Sequence, residues 1–276
     1  MKHHEFDHYL RMNRMPHIFC PGCGHGIAMQ SIIRAIDDLE MDKDNTVVVS
    51  GIGCSSRIPG YLDFNTLHTT HGRAIAFATG VKMVKPELNV LIVSGDGDAT
   101  AIGGNHFIHA CRRNINITLF LLNNNIYGMT GGQSSPTTFS GSKSTTAPYG
   151  HMEPEFDISG LAKAAGASFV ARATCYHATQ MTSLMKKAIK NDGFSVVEVL
   201  SDCPTYFGRK NRMPDPVDML KWQNECTYTT ADAKRLDPEE LEGRYLRGVI
   251  HNEPRPEYTQ MYQDVIRRAG GDTNGK

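Results

Sequence analysis

The segment NVLIVSGDGD, residues 89–98, is a run of apolar residues that ends abruptly in a turn of glycine and aspartate. Its apolar part has the length and the β-branched content of a strand buried on both faces, as in parallel sheets. A second apolar segment, NITLFLLNNN at 116–125, also ends in polar residues. Between the two, GGNHFIHACRRN at 103–114 has the spacing of an amphipathic helix. A strand, a helix and a strand in this order predict one unit of a parallel α/β sheet.

The same alternation continues on both sides of this unit. Further strands are predicted at TVVVSGIG (46–53) and FSVVEVLSD (194–202), and SFVARATC (168–175) is another candidate. Helical periodicity is found at 26–41, 72–84 and 177–192. The predicted fold class is therefore α/β: a doubly wound, mostly parallel sheet with helices on both faces.

Unusual polar motifs follow the carboxyl ends of four predicted strands. They are GIGCSS, GDGD, NNN and SDCP, in chain order. Ligands of doubly wound sheets bind at the carboxyl ends of the strands, so these four loops predict one shared site. The segment 126–156 is rich in Gly, Ser, Thr and Pro, which is typical of a surface linker. A loop of this length inside a compact domain is uncommon unless it serves a site.

The composition limits the possible functions. The 276 residues include 29 Lys and Arg against 29 Asp and Glu, which gives no electrostatic reason to expect nucleic acid or an anionic membrane as a partner. No apolar run reaches the roughly 20 residues that span a bilayer. The N-terminus lacks the apolar region of a secretory signal, so the expected location is cytoplasmic. We predict an N-terminal arm at 1–15, an α/β domain at 16–210, and a C-terminal tail at 211–276 that packs on the domain or on a partner.

The GDGD and NNN loops have the residue types of a metal–diphosphate site. Asp96 offers a carboxylate oxygen and Asn124 an amide oxygen, which are ligands that Mg²⁺ accepts together with phosphate oxygens. Gly95 and Gly97 allow backbone N–H groups to approach an anion closely. Asp98 either supports the metal from behind or caps the helix that follows it.

Seven cysteines are present, two of them within CPGCGHG at 20–26. Without a secretory signal, disulfides are a poor explanation, and metal or cluster ligation is a better one. Cys20 and Cys23 are compatible with a redox dithiol, half of a zinc site or half of an iron–sulfur site, and spacing alone slightly favours zinc. Cys111 and Cys175 are interpreted as core residues, and Cys226 has no assigned role.

GDG, about two dozen residues and then NN resemble the signature of thiamine-diphosphate enzymes. Over about 16–210 the chain is similar to one branch of them, the β subunits of 2-oxoacid:ferredoxin oxidoreductases. Six blocks that follow one another in order support the resemblance: FCPGCGHG (19–26), GIGCSSRIPGY (51–61), HTTHGRAIAFATGVK (68–82), GDGDATAIGGNH (95–106), NNNIYGMTGGQ (123–133) and SDCPTY (201–206).

The resemblance implies thiamine diphosphate bound through Mg²⁺, on a thiamine-diphosphate-binding fold. The implied metal ligands are Asp96, Asn124 and the backbone carbonyl of Ile126, with Met129 and Thr130 beside the phosphates. The other residues expected to contact the cofactor are Gly53, Cys54, Ser55, His71, Gly72, Arg73, Gly95, Gly97, Asp98 and Gly128. A purely structural role is the alternative for His71.

The resemblance also implies that Cys20, Cys23, Cys54 and Cys203 hold one [4Fe–4S] cluster. This reverses the preference for zinc, for which four thiolates are equally suitable. Arg57 occupies the position at which relatives have a cation facing the substrate. The alternative for Arg57 is a surface arginine or one that binds a carboxylate of the tail.

The implied reaction is oxidative decarboxylation of a 2-oxoacid with coenzyme A, giving acyl-CoA, CO₂ and reduced ferredoxin, or the reverse carboxylation. In it, thiamine diphosphate serves as an electron sink, and the cluster passes single electrons to an external ferredoxin. 2-Oxoglutarate is the expected substrate, and pyruvate and branched-chain 2-oxoacids are the alternatives. Two rival functions are a non-oxidative thiamine-diphosphate decarboxylase and a non-catalytic zinc- or cluster-bearing assembly module.

In this superfamily a glutamate that contacts the aminopyrimidine lies on a separate module. This chain is long enough only for the diphosphate-binding module. The resemblance therefore implies an α subunit as an obligate partner, in an αβ pair or an α2β2 heterotetramer.

Overall fold

The computed structural model describes residues 6–270; residues 1–5 and 271–276, which belong to the predicted arm and tail, lie outside the described residues. The strands are β1 (Thr46–Ser50), β2 (Asn65–His68), β3 (Asn89–Gly95), β4 (Thr118–Asn123), β5 (Ile126–Tyr127), β6 (Gln133–Ser134), β7 (Phe169–Thr174), β8 (Ser195–Leu200), β9 (Thr227–Tyr228), β10 (Tyr245–Leu246) and β11 (Gly248–Asn252). The helices are α1 (His25–Asp38), α2 (Ile58–Tyr61), α3 (Ala74–Val84), α4 (Gly104–Arg113), α5 (Ile158–Ala165), α6 (Ala178–Lys190), α7 (Pro216–Glu225), α8 (Thr230–Ala233), α9 (Pro238–Leu241) and α10 (Tyr258–Arg268).

Seven strands form the main sheet, in the order β11-β7-β8-β4-β3-β1-β2. Neighbouring strands are parallel, except that β11 pairs with β7 in the antiparallel direction. The predicted α/β fold class is confirmed. The order also places β3 beside β4 near the middle of the sheet, so the GDGD and NNN loops leave the same edge side by side.

Helices cover both faces of the sheet because each central strand is apolar on both sides. Along β3, Leu91 and Val93 pack in the layer that contains α1 and α6, whereas Val90 and Ile92 pack in the layer of α3, α4 and α5. This alternation is the period of two expected for an extended strand. Burial on both faces explains why the sequence of β3 is an uninterrupted apolar run.

The described part of the C-terminal tail packs on the same sheet. β11 extends the sheet at one edge, and α10 is fixed near the amino end of β4 by Glu257, whose carboxylate accepts a hydrogen bond from the backbone N–H of Asn116 at 2.8 Å. The domain boundaries drawn from the sequence stay a prediction. Within residues 6–270, no helix is both long and apolar enough to cross a membrane.

Candidate functional site

A cleft opens at the carboxyl ends of β1, β3 and β4, where the sequence predicted a site. Most of the residues expected to contact a cofactor line it: Gly53, Cys54, Ser55, His71, Gly95, Asp96, Gly97, Asp98, Asn124, Ile126, Gly128, Met129 and Thr130. Three of the expected residues lie outside the lining, as far as the described part of the chain shows: Arg57, Gly72 and Arg73. The cleft is therefore built by four loops, which follow β1, β2, β3 and β4.

Asp96 is held at the base of this cleft by two hydroxyl groups. Ser135 Oγ donates to Asp96 Oδ2 at 2.5 Å, and Thr137 Oγ1 donates to the same oxygen at 2.7 Å. Burial raises the pKa of the Asp96 carboxyl, and these two hydrogen bonds act in the opposite direction. The carboxylate is therefore fixed in orientation while only one of its oxygens is engaged by side chains.

The asparagines after β4 have different partners. Asn123 Nδ2 donates to Glu198 at 3.0 Å, and Asn125 Nδ2 donates to the carbonyl of Thr137 at 2.7 Å. Asn124 Oδ1 accepts only a long bond of 3.4 Å from the backbone N–H of Ile126. Asn124 lines the cleft. A ligand that binds its amide oxygen would compete with only this weak internal hydrogen bond.

Asp98 connects the loops that surround the cleft. Its Oδ1 accepts from the backbone N–H groups of Ile52 at 3.2 Å and Gly72 at 2.7 Å, and lies 2.6 Å from His71 Nδ1. Its Oδ2 accepts from Ser94 Oγ at 2.6 Å. The side chain thus joins the loop after β1, the loop before α3 and the end of β3. Its observed partners all lie outside the helix that follows it.

The three cationic or basic candidates are placed differently. His71 lies in the cleft lining, with its ring at 73° to that of Tyr127 and a centroid distance of 6.2 Å. Arg73 turns to the backbone, because its Nη1 donates to the carbonyl of Ile102 at 3.3 Å. Arg57 ends a short 3-10 helix and is exposed. The roles predicted for these three residues stay predictions.

Two residues of the loop after β1 have features that suit an anionic ligand. Ser55 Oγ is buried and has no hydrogen-bond partner among the described residues, although it lines the cleft. Gly53 has φ +124°, a backbone conformation that favours glycine, and a Cβ there would meet open space. A hydroxyl without a partner is costly to bury, and a bound phosphate oxygen would satisfy it.

The four cysteines expected to hold a cluster lie close to one another beside the cleft. A Cβ on Gly128 would be 3.5 Å from both Cys54 Sγ and Cys203 Sγ. Burial raises the pKa of Cys23 to about 12 and that of Cys54 to about 11. The negative charges of neighbouring thiolates also raise one another's pKa. Cys54 and Cys203 raise the pKa of Cys23, Cys20 and Cys203 raise that of Cys54, and Cys20 raises that of Cys203. Among residues 6–270, no group of three or more His, Cys, Asp or Glu is arranged to hold a metal ion.

Backbone N–H groups near these sulfur atoms act against the effect of burial on the pKa. His25 lowers the pKa of Cys23, Met129 that of Cys54, and Tyr206 and Phe207 that of Cys203. Each of these backbone groups therefore favours the thiolate form of its cysteine. Such donors to sulfur are also a feature that tunes iron–sulfur clusters.

Several residues of the site were not recognised from the sequence. Ser135 and Thr137 come from the long loop after β4, and their only signal was its unusual length. His25 lines the cleft beside Ser201, and burial lowers its pKa to about 4, which keeps the imidazole neutral. Asp202 is buried next to Cys203, and burial raises its pKa to about 7.

The site thus combines a hard-ligand region with a sulfur-rich region. Asp96 and Asn124 present oxygen atoms, which suit Mg²⁺ and a diphosphate. Cys54 belongs to both regions, because it lines the cleft and lies beside Cys203. A redox group held by the four thiols would be adjacent to whatever binds in the cleft.

Comparison with protein families agrees with this arrangement. Residues 51–199 match the family described as thiamine pyrophosphate enzyme, C-terminal TPP binding domain. The matched range includes the loops of Gly53, Asp96 and Asn124. It ends just before Cys203 and starts after Cys23, so the thiols of both flanks lie outside it.

Individual relatives are similar over nearly the whole chain. The 2-oxoglutarate synthase subunit KorB of Methanothermobacter marburgensis is 52% identical over 98% of this chain and 95% of its own length. The protein of the same name from Archaeoglobus fulgidus is 56% identical over 84% of this chain and 85% of its own length.

A solved structure is similar in fold. It is a 2-oxoglutarate:ferredoxin oxidoreductase from Magnetococcus marinus with 2-oxoglutarate, coenzyme A and succinyl-CoA bound. Its TM-score is 0.87 at 32% identity, and the match covers 100% of this chain and 94% of that chain.

Proposed function

Because this chain belongs to the thiamine-diphosphate-binding β subunits of the 2-oxoacid:ferredoxin oxidoreductases, we propose that it acts with an α subunit on 2-oxoglutarate. The proposed reaction is oxidative decarboxylation with coenzyme A to succinyl-CoA and CO₂, with two electrons transferred to ferredoxin one at a time. The observation that supports it most directly is the cleft in which Asp96, Asn124 and Cys54 meet.

The residues of the cleft fit a magnesium–diphosphate group. Asp96 and Asn124 supply oxygen ligands, and the partnerless hydroxyl of Ser55 supplies a donor for a phosphate oxygen. Thiamine diphosphate, when bound, supplies the electron sink for loss of CO₂. The chain's own contribution is to bind and orient the diphosphate. Asp98 holds the surrounding loops in place through its bonds to Ile52, Gly72 and Ser94.

The four thiols fit a [4Fe–4S] cluster in their chemistry. Cys20, Cys23, Cys54 and Cys203 converge from three separate loops, and nearby backbone N–H groups lower the pKa of three of these thiols. A cluster there would supply the route for electrons out of the cleft. We therefore propose it as the electron acceptor, in place of zinc, which has no redox chemistry.

2-Oxoglutarate is proposed because relatives at 50% identity or more are named for it. Other relatives carry the broader name 2-oxoacid:ferredoxin oxidoreductase at 41–43% identity. Pyruvate and branched-chain 2-oxoacids are accordingly the competing substrates to test. The reverse carboxylation is included in the proposal for a sufficiently reducing ferredoxin.

An exposed apolar rim supports the α subunit as partner. Tyr149 is 99% exposed and Met152 is 92% exposed. They line a hollow together with Tyr127, which also lines the cleft. Large exposed apolar side chains beside a functional cleft are typical of protein interaction sites.

The test is an anaerobic purification of this chain with its co-expressed α subunit, followed by assay of iron, sulfide, zinc and thiamine diphosphate. About four irons and four sulfides per β chain, with bound cofactor, are expected. One zinc and no sulfide would remove the redox mechanism and leave only the cofactor site. Activity with 2-oxoglutarate, pyruvate and a branched-chain 2-oxoacid, with ferredoxin and coenzyme A, then identifies the substrate.

Asp96→Ala separates the enzyme from a non-catalytic assembly module. In an enzyme, this change abolishes turnover and cofactor retention. The iron content should stay at the wild-type level, because Asp96 is not one of the four cysteines proposed to bind the cluster. A module that only holds a cluster would be unaffected by it. Treatment of the wild-type complex with a chelator of Mg²⁺ should likewise release thiamine diphosphate, with recovery on adding Mg²⁺.

A further inference from the structure

A chain of buried polar side chains runs from the cleft into the sheet behind it. It begins at Asp96, whose Oδ2 accepts from both Ser135 and Thr137. Thr137 has one hydroxyl proton and a second acceptor, Asn123 Oδ1, at 2.9 Å. The proton favours the carboxylate because hydrogen bonds to ionised acceptors are the stronger ones. Oδ2 is therefore occupied by side chains, and Oδ1 is the oxygen left for a cation.

Glu198, in the middle of β8, fixes the other end of this chain. Its Oε1 accepts from Asn123 Nδ2 at 3.0 Å, and its Oε2 accepts from Ser159 Oγ at 2.6 Å and from Arg172 Nε at 2.9 Å. An acidic residue is seldom buried unless it is paired. Here the pairing orients an amide: because Glu198 only accepts, Asn123 must turn its nitrogen towards Glu198 and its oxygen towards Thr137 and the N–H of Asn125.

The orientation of that amide controls the loop of Asn124. Asn123 Oδ1 accepts from the backbone N–H of Asn125 at 3.2 Å, and Asn125 has a positive φ of 60°. If the amide turned over, its Nδ2 would face this N–H group, and two donors would oppose each other. The loop between them would have to move, and with it Asn124.

We propose that Thr137 and Glu198 are positioning residues for the metal–diphosphate site. Thr137 fixes which oxygen of Asp96 is presented to the cation, and Glu198 fixes the amide of Asn123 and thereby the loop of Asn124. Neither side chain is one of the proposed ligands. The proposal rests on the proposed function, since it takes Asp96 and Asn124 as the ligands, and residues behind a metal site typically change its affinity about 10- to 100-fold.

The first test titrates the co-purified complex, freed of divalent metal, with Mn²⁺ in the presence of thiamine diphosphate, and follows free Mn²⁺ by electron paramagnetic resonance. Thr137→Val should weaken Mn²⁺ binding about 10- to 100-fold. Thr137→Ser keeps the hydroxyl and should bind within about threefold of wild type. Thr118→Val removes another buried hydroxyl, which bonds to the carbonyl of Ala188, and should leave Mn²⁺ affinity unchanged.

The second test uses Glu198→Gln in the same titration. Because one half of the new amide is a donor, it can no longer accept from Arg172 and Asn123 together, and a loss of about 10-fold in Mn²⁺ affinity is expected. Iron content and thermal stability are recorded for each variant, so that a variant that fails to fold is recognised. If Thr137→Val and Glu198→Gln bound Mn²⁺ like wild type, the positioning roles would be wrong. If the wild-type complex itself bound neither Mn²⁺ nor thiamine diphosphate, the proposed function would fail instead.

Discussion

Asp98 joins three loops of the site through one carboxylate, and the surrounding backbone leaves no spare space. A Cβ built on Gly51 would lie 2.1 Å from Asp98 Oδ2. Gly51 is the first residue of the loop that bears Gly53 and Cys54. A single methyl group at this position therefore tests how rigidly the loops have to be held.

Gly51→Ala should destabilise the protein by about 1–3 kcal/mol, the usual effect of overpacking. The Asp98 carboxylate would have to move, and its bonds to Ser94, Gly72 and His71 would be strained. Thermal unfolding and the affinity for thiamine diphosphate measure the two effects. Gly80→Ala is the control, because no atom lies within 4 Å of its Cβ position in α3. Equal stability and equal cofactor affinity of the two variants would show that the site tolerates displacement of the Asp98 carboxylate.

At the level of the elements, the parallel strands β7 and β8 are joined by a buried ion pair as well as by backbone hydrogen bonds. Arg172 on β7 bonds to Glu198 on β8, and its Nη1 donates to the carbonyl of Leu246 in β10 at 3.2 Å. Its guanidinium also lies 5.3 Å from the ring centroid of Tyr245. The tail is therefore fixed to the same charged pair that orients Asn123.

Arg172→Met should lower the free energy of unfolding by about 3–5 kcal/mol, because it leaves Glu198 buried without its charge partner. The double variant Arg172→Met/Glu198→Leu should regain stability in urea unfolding, since two apolar residues replace the pair. It should not regain Mn²⁺ affinity, since the Asn123 amide stays unfixed. Lys186→Met is the control: it removes the exposed pair with Asp38 at 2.6 Å and should change stability by less than about 1 kcal/mol. A double variant with full metal affinity would contradict the role of Glu198.

The strands that the sequence predicts are those buried on both faces, where apolar character is continuous. β2 and β11 were not predicted, because they are edge strands whose side chains are half-buried or exposed, and their sequences, NTLH and GVIHN, have no such run.

Contacts between residues that are distant in sequence were equally hard to predict. Glu198 did leave a signal, a single acid inside the apolar segment VVEV, which indicates a buried partner. The partnership of Ser135 with Asp96 left none, since it depends on how a long loop returns.

At the scale of the whole molecule, Tyr149 and Met152 are the two most exposed large apolar side chains among residues 6–270. They belong to the loop after β6 and line a hollow with Tyr127, which also lines the cleft. The opposite edge of the sheet has α10, whose exposed Met261 and Tyr262 provide a comparison. A partner subunit that covered the cleft side would therefore bury more exposed apolar surface than one that covered α10.

Tyr149→Lys/Met152→Lys should weaken binding of the α subunit by at least about 10-fold, because charges would replace apolar side chains at the contact. Co-purification and sedimentation of the mixed subunits measure it. Met261→Lys/Tyr262→Lys on α10 is the matched control and should leave the complex intact. Loss of the complex in the control alone would place the interface at α10 and contradict the interface proposed at Tyr149 and Met152.

The wide separation in sequence of the four thiols has a consequence for biosynthesis. Cys20 precedes α1, whereas Cys203 follows β8, the strand that lies between β4 and β7 in the sheet. Contacts between such distant parts of a chain form late, because the intervening strands must pair first. The nascent chain therefore has no complete thiol set until the ribosome has translated well beyond residue 203. If these thiols hold the proposed cluster, it must be delivered to an almost finished protein, and a shortage of it would leave folded chains without a cluster.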